Sequence, residues 1–403
     1  MTPDGPASGT RRIVLAFSAC NFLFGCASWM LVAFLPIYLH NDLLWSAGRV
    51  GVLIGAYIVT MLLLIVPLGY LSDRVSPKRL VQMGAALYIV YALLLASVTT
   101  FGAVLAAQIV GGMGEAVILI VLPALLYKDL GAAGRGRSVG AFVAGSMFGF
   151  SIGPLAAWAL LDGVGLPYRG LFGMVSGVAV ALMAVSTLLK DAPPLSIHLA
   201  DYLGDIKRRE VLLVVIAIAG LGVHFGQERT TFALFLRNVA EFSRLGVAGI
   251  FGVIGIWMGA LSLLMGRLFD RNSHILVLIG VGLALSGGFH VVTPYFRGFG
   301  DLVAVRAIHT IGDVMVIFSY SVIVASIFPR ARMGGNTGLA LMFRAVGGVL
   351  GAAISGQLDK AFPSLATSFA FAGGALIVCG AVLLLNWRTF RRVSHGIRAE
   401  IAA

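Results

Sequence analysis

Three carboxylates lie inside long apolar runs of this chain: Glu115, Glu228 and Asp313. An ionised side chain at the centre of a bilayer costs about 2.5–3.5 kcal/mol on insertion scales, so such residues are kept where a wet cavity, a partner or a task shelters them. Histidines accompany two of the three. His224 and Glu228 are four apart, one turn along one helix face. Arg306, His309 and Asp313 follow at i, i+3 and i+7, again on one face, and a His309–Asp313 hydrogen bond would suit the imidazole to proton exchange. Arg344 enters a further apolar run roughly 15 Å deep at about 1.5 Å per residue. It is the expected counter-ion of Asp313 or Glu228. Asn21 and Ser28, seven apart and next to Trp29, share a face of the first run. This inventory suits binding and moving charge. No His-Glu-x-x-His zinc-protease motif, nucleophile motif or Gly-x-x-x-x-Gly-Lys-Ser/Thr phosphate loop is present, so the chain reads as no enzyme and no ATP-driven pump.

The elements that position these residues are membrane spans. Of 403 residues, 59% are apolar and 11% charged, with a mean hydropathy of +0.98. Soluble domains hold roughly 45–50% apolar and about 25% charged residues. A soluble enzyme, a disordered chain and a nucleic-acid-binding module are thereby excluded. Twelve apolar runs approach the about 20 residues a spanning helix needs. They lie near 13–39, 46–70, 79–99, 101–127, 138–161, 169–189, 211–236, 245–268, 275–295, 299–328, 335–358 and 364–387. They are continuous and rich in Gly, Ala, Leu and Val, unlike the alternating strands of a membrane barrel of about ten residues each. The first run is too long for a secretory signal and is followed by eleven more. Cys20, Cys26 and Cys379 sit within apolar runs and read as small hydrophobes. Neither a cofactor nor a resident metal is expected.

Charge placement orients the stack. With both ends cytoplasmic, twenty of the 29 Lys and Arg fall in inner segments and six in outer loops, which explains the net charge of +12 as an inner face meeting anionic lipid. The expected location is the cytoplasmic (inner) membrane, and the expected partners are a small-molecule substrate, protons and lipid, with no nucleic acid, acting as a monomer. The longest break, 190–210, carries Pro193 and Pro194, then Leu195, Leu199, Tyr202, Leu203 and Ile206 at helical spacing, and closes on Lys207, Arg208 and Arg209. It reads as an amphipathic helix on the inner membrane face. It divides the chain into a six-helix bundle over 1–189, a linker over 190–210, and a second bundle with a short tail over 211–403.

The halves repeat. "GYLSDR" starts at Gly69 and "GRLFDR" at Gly266, 197 residues on. Glu115 and Asp313 are 198 apart, as are Gly149 and Gly347, and Gly153 and Gly351. Parallel halves related by an axis along the membrane normal are one known transporter symmetry.

On these residues the chain resembles the major facilitator superfamily. "GYLSDRVSPKR" (Gly69 to Arg79) is similar to that family's inner-loop signature, with Ser76 and Pro77 in place of its usual Gly and Arg. "GSMFGFSIGPLAAWA" (Gly145 to Ala159) resembles the fifth-helix signature of its drug/proton antiporter branch. Gln108 stands where the family often has a span-four Arg. The resemblance implies a fold of twelve transmembrane helices in two pseudo-symmetric six-helix bundles, with a cavity lined chiefly by spans one, four, seven and ten. Glu115, Glu228 and Asp313 fall on those spans.

It also implies a latch. Asp73, at the inner end of span two, would face the start of span eleven near Gly334, where the helix dipole favours a carboxylate by about 0.3–1 kcal/mol. Arg74, Lys78 and Arg79 would add ion pairs or grip lipid phosphates, and Gly266, Asp270 and Arg271 form the second copy. Gly145, Gly149 and Gly153 line one helix face for close approach of another backbone, and Pro154 removes a backbone donor there. The leading reading is a proton-coupled exporter of a small organic or amphipathic solute, in which protonation of Glu115 or Asp313 permits the halves to rock. A second is an organic-anion symporter or exchanger using Arg229, Arg306 and Arg344. A third is a transition-metal carrier using His224, Glu228, His309 and Asp313.

Overall fold

The computed structural model describes residues 6–131, 134–193, 199–272, 278–362 and 364–402. Among them there is helix and turn but no strand, as the unbroken apolar runs require in a medium where every backbone group must be satisfied within its own segment. Eleven helices are long and apolar enough to cross a membrane. The first bundle holds α1 (Pro6–Ile37), α2 (Ala47–Arg74), α3 (Pro77–Ser97), α4 (Phe101–Asp129), α5 (Arg135–Trp158) and α6 (Tyr168–Ser186). A short α7 (Leu199–Ile206) precedes the second, which holds α8 (Arg209–Gln227), α9 (Arg244–Arg271), α10 (Ile279–Val292), α11 (Phe299–Ile327), α12 (Met333–Ala361) and α13 (Ala366–Leu385). A terminal helix, α14, covers Trp387–Ala402. The ninth expected span corresponds to α10, only 14 residues long, and residues 273–277 before it lie outside the described set.

The internal repeat is visible in backbone detail. α2 and α9 begin and end 197 residues apart. Each is preceded by a π-helical turn, Tyr38–Asp42 and Phe235–Val239. Next comes a non-glycine residue in the left-handed region, Leu44 at φ 54° and Glu241 at φ 58°. A serine cap follows, Ser46 and Ser243. A left-handed non-glycine residue costs roughly 1–2 kcal/mol, and both copies keep it at the same place. From α4 and α11 onward the offset is 198, so the second half has one extra residue between its second and fourth spans.

Packing inside each half is glycine-mediated. On α5, a Cβ at Gly149 would stand 2.5 Å from the Phe22 carbonyl oxygen of α1. The Gly145, Gly149 and Gly153 stripe therefore serves the α1–α5 contact within one half, and α5 runs through Pro154 without a break. α8 and α12 approach equally closely, since a Cβ at Gly226 would meet the Gly348 carbonyl oxygen at 2.0 Å. Between halves, α5 packs along α9 and α2 along α12.

α7 is bound to protein. Tyr202 is buried, with its ring against Gly335, and Asp205 accepts Arg332 Nε and Nη2 at 2.8 and 2.9 Å and Asn336 Nδ2 at 2.7 Å. The expected helix thus docks on the start of α12, where the sequence alone suggested a membrane-surface element; Leu195 lies outside the described residues. Burial alone would raise the Asp205 carboxyl, but the Arg332 and Asn336 hydrogen bonds outweigh it and hold the group below its ordinary value. A depressed carboxylate contributes stability that is present above its unfolded pKa of about 3.9 and lost as pH falls through the folded value. The protection factor against hydrogen exchange over 199–206 should therefore hold from pH 8 to pH 5 and fall below about pH 3.9, and Asp205→Asn should lower it at neutral pH.

Candidate functional site

A cavity of about 210 Å³ lies between the halves, walled by α1, α2, α4 and α5 from the first and α8, α9, α11 and α12 from the second. Trp29, Phe150 and Phe251 form an aromatic cluster across it, with ring centroids 4.3, 5.4 and 6.0 Å apart. Asn21 lines it and donates from Nδ2 to the Phe142 carbonyl at 2.8 Å. Two ionic centres flank this apolar floor.

The first centre is built on Glu115, which is 2% exposed. Its Oε2 accepts the Tyr57 hydroxyl from α2 and, at 3.4 Å, the Ser28 hydroxyl from α1. Its Oε1 accepts Arg229 Nη2 at 3.2 Å. Arg229 belongs to the second half, on the π-helical turn Glu228–Phe232 that continues α8, so this ion pair spans the two halves. Gln108 stands two turns away from Glu115, outside the main cavity. It accepts the Tyr91 hydroxyl at 2.5 Å and faces the Leu53 carbonyl. Tyr57, Tyr88 and Tyr91 sheathe this side, and sequence reading missed all three, because tyrosine in a span is commonplace.

The second centre gathers His224, Glu228, His290, Arg306, His309 and Asp313. The three histidines are 0% exposed, with ring centroids 4.4, 4.9 and 5.3 Å apart. His309 Nε2 is 3.0 Å from Asp313 Oδ2, the expected pair. His224 Nε2 is 3.5 Å from Glu228 Oε2 and 3.7 Å from Asp313 Oδ2. Arg306 is buried, ion-paired with Glu228 and 4.7 Å over the Phe232 ring. His290, on α10, was missed: a lone histidine on a span not expected to line the cavity gives no spacing signal.

Arg344 departs from expectation. It lines the cavity, 5.2 Å over the Phe225 ring, but Asp313 is taken by His224 and His309 and Glu228 by Arg306. Among the described residues no carboxylate forms an ion pair with it. Depth along a helix places a residue between the membrane faces but not around the helix axis, and Arg344 points elsewhere.

The two Gly-x-Leu-x-Asp-Arg segments meet partner helices at one end of the molecule. Asp73 is 0% exposed. Its oxygens accept Gly334 N–H at 3.0 Å and Gly335 N–H at 2.8 Å, at the start of α12 as expected. Lys128 Nζ lies 2.7 Å away and the Tyr202 hydroxyl donates at 2.9 Å. Gly69 permits the contact, since a Cβ there would stand 2.7 Å from the Gly334 carbonyl oxygen. Asp270 does the same for α5, accepting Gly136 N–H at 2.9 Å, Arg137 N–H at 3.2 Å and Arg137 Nε at 2.8 Å; Gly266 packs on Gly136. Arg74 lies 4.4 Å over the Tyr70 ring, Lys78 donates to the Thr187 carbonyl at 2.6 Å, and Arg79 and Arg271 are exposed.

Two helical halves closed on each other at one end around a charged central cavity define a secondary transporter fold. The model of the Major Facilitator Superfamily matches residues 17–351, and the chain belongs to that family of integral membrane transporters. A probable sugar efflux transporter of Helicobacter pylori (strain G27) is 27% identical over 294 residues, covering 68% of this chain and 69% of the relative. Multidrug resistance protein 2 of Bacillus subtilis (strain 168) is 22% identical over 372 residues, covering 85% and 87%. The crystal structure of the human organic anion transporter MFSD10 (TETRAN) superposes with a TM-score of 0.77 at 15% identity, covering 94% of this chain and 100% of that one, a likeness of fold.

Proposed function

We propose that this transporter exports a compact organic solute with an apolar body in exchange for protons, by rocking its two halves about the central cavity. The observation that carries the reading is Glu115: a buried carboxylate on the cavity wall whose cationic partner, Arg229, comes from the opposite half. Protonation removes a charge that is costly at that depth and releases Arg229, so that proton occupancy and separation of the halves become one event. The aromatic cluster offers a stacking surface, and the cavity is smaller than the about 300–1,000 Å³ of drug-sized sites. The relatives' names, sugar efflux and multidrug resistance, support the outward direction. The positive-inside bias supports an inner-membrane location with both termini and the Asp73 end cytoplasmic.

Proteoliposomes holding a pH gradient test this. A panel of a neutral sugar, a cationic amphiphile and an organic carboxylate should contain a solute that dissipates the gradient, and Glu115→Gln should bind that solute yet leave the gradient intact. A gradient untouched by every class, or full pH-dependent transport by Glu115→Gln, overturns the reading. Arg344, a cavity cation without a protein carboxylate among the described residues, favours a second reading in which the solute carries an anionic group. In that case only the carboxylate is active, and Arg344→Gln weakens its binding by about 10–100-fold, the loss of one charged hydrogen bond worth about 1.5–3 kcal/mol.

A further inference from the structure

We propose that His224, His290, His309 and Glu228, with Asp313 beside them, form a binding site for a divalent first-row transition ion such as Zn²⁺ within the second half of the chain. This goes beyond the transport reading above and does not depend on it. The four residues lie on α8, its π-helical extension, α10 and α11, and one donor atom from each falls within 4.8 Å of all the others.

The lone pairs fix the argument. His309 Nδ1 is 2.7 Å from the Ser286 carbonyl oxygen. A carbonyl only accepts, so Nδ1 carries the hydrogen and a neutral His309 turns the Nε2 lone pair toward Asp313 Oδ2, 3.0 Å away. Two lone pairs facing each other at that distance call for a positive charge between them, a proton or a metal ion. His224 is fully buried and, among the described residues, neither ring nitrogen has a hydrogen-bond partner; its Nε2 faces the same Asp313 oxygen and Glu228 Oε2. His290 Nε2 meets Gln227 Oε1 at 2.9 Å, which leaves Nδ1 directed at Glu228 Oε1, 3.9 Å off.

A proton answers the His309–Asp313 pair alone; the convergence of the other donors and their supports points to a shared metal. Metal–nitrogen bonds of about 2.0–2.1 Å set tetrahedral donor–donor edges of about 3.3–3.4 Å; the imidazole–carboxylate pairs here run from 3.0 to 3.9 Å and the four-residue donor set spans up to 4.8 Å, so the side chains close in on the ion as it binds. A ligating histidine usually gives its other N–H to a carbonyl or carboxylate, as His309 does to Ser286 and His290 to Gln227. Asp313 is held by Ser286 Oγ through Oδ1 at 2.6 Å, leaving Oδ2 for the cluster. Arg306 pairs with Glu228 Oε1, leaving Oε2 for the ion, and a bound ion takes the place of its long 3.4 Å contact with His290 Nδ1. Two carboxylates and one guanidinium leave the site net negative, and imidazole with carboxylate selects borderline first-row ions. Glu228 and Asp313 reach the cavity wall and provide the way in.

The test uses tag-free, full-length protein in detergent, stripped with chelator and titrated with Zn²⁺ and Co²⁺. One Zn²⁺ per chain should bind, Co²⁺ should develop a visible d–d spectrum, and X-ray absorption should count imidazole ligands. Gln227→Ala, which removes only a supporting acceptor, should weaken binding by about 10–100-fold. His290→Gln and His309→Gln should weaken it further, whereas His40→Gln and His395→Gln, on exposed residues, should leave it unchanged. Should a cluster variant fail to elute as a single species, the wild-type titration and Gln227→Ala decide. No saturable binding by the stripped protein, or affinity unchanged by Gln227→Ala in a well-folded chain, overturns the proposal.

Discussion

Asp73→Ala is expected to move the conformational equilibrium by about two to four orders of magnitude, away from the state described here. The carboxylate is wholly buried and satisfies Lys128, two backbone N–H groups at the start of α12 and the Tyr202 hydroxyl. Removing one partner of a buried ion pair costs about 3–5 kcal/mol because the other charge is stranded, and 1.36 kcal/mol is a factor of about ten. That penalty is confined to the closed arrangement, since in a separated one Lys128 and the Gly334 and Gly335 amides meet water. The second copy should matter less. Asp270 pairs with an Arg137 that is 71% exposed, so Asp270→Ala loses mainly two backbone hydrogen bonds, about 1–2 kcal/mol in all. Pulsed electron resonance between spin labels at the Asp73 ends of α2 and α12 reads both effects. Identical distance distributions in wild type and Asp73→Ala would show that these contacts do not hold the halves together.

Arg229→Ala should be more damaging than the double change Glu115→Gln/Arg229→Ala. Alone, it strands the Glu115 carboxylate with only the Tyr57 and Ser28 hydroxyls, a loss of about 3 kcal/mol at the low end for a broken buried pair. Neutralising Glu115 at the same time removes the stranded charge, so the double variant should recover most of that loss. Non-additivity of this sign and size is the signature of direct coupling. Thermal unfolding of the three variants measures it, and strict additivity would reduce the cross-half pair to an incidental contact.

The fold was legible because its signals are local. Apolar length gives the spans, and the two Gly-x-Leu-x-Asp-Arg segments give the repeat; the contact of Asp73 with the start of α12 was implied by the family resemblance and not by the residues alone. The acids Glu115, Glu228 and Asp313 were found because charge inside apolar runs is conspicuous. Partner choice between helices was not legible, since it depends on how each helix is rotated about its axis, whereas the His309–Asp313 pair on one helix was. Arg344 was therefore assigned to acids that Arg306, His224 and His309 occupy, and Arg229, the partner of Glu115, entered only as a candidate anion-binding residue. His290 and the three tyrosines were hidden for a related reason: each is ordinary on its own helix and gains meaning only from residues brought beside it by tertiary packing. The docking of α7 through Asp205 was masked by an apolar stripe that suits lipid and protein equally.

Glu228 and Arg229 are successive residues, so their Cα atoms stand about 3.8 Å apart across one planar peptide. One arm is hooked to Glu115, the other to Arg306. Both ionic centres are therefore fastened to one stretch of backbone, and the connection between them passes through no intervening helix. That stretch is the π-helical turn Glu228–Phe232 that continues α8, so the Glu115 ion pair and the histidine cluster share one turn of chain.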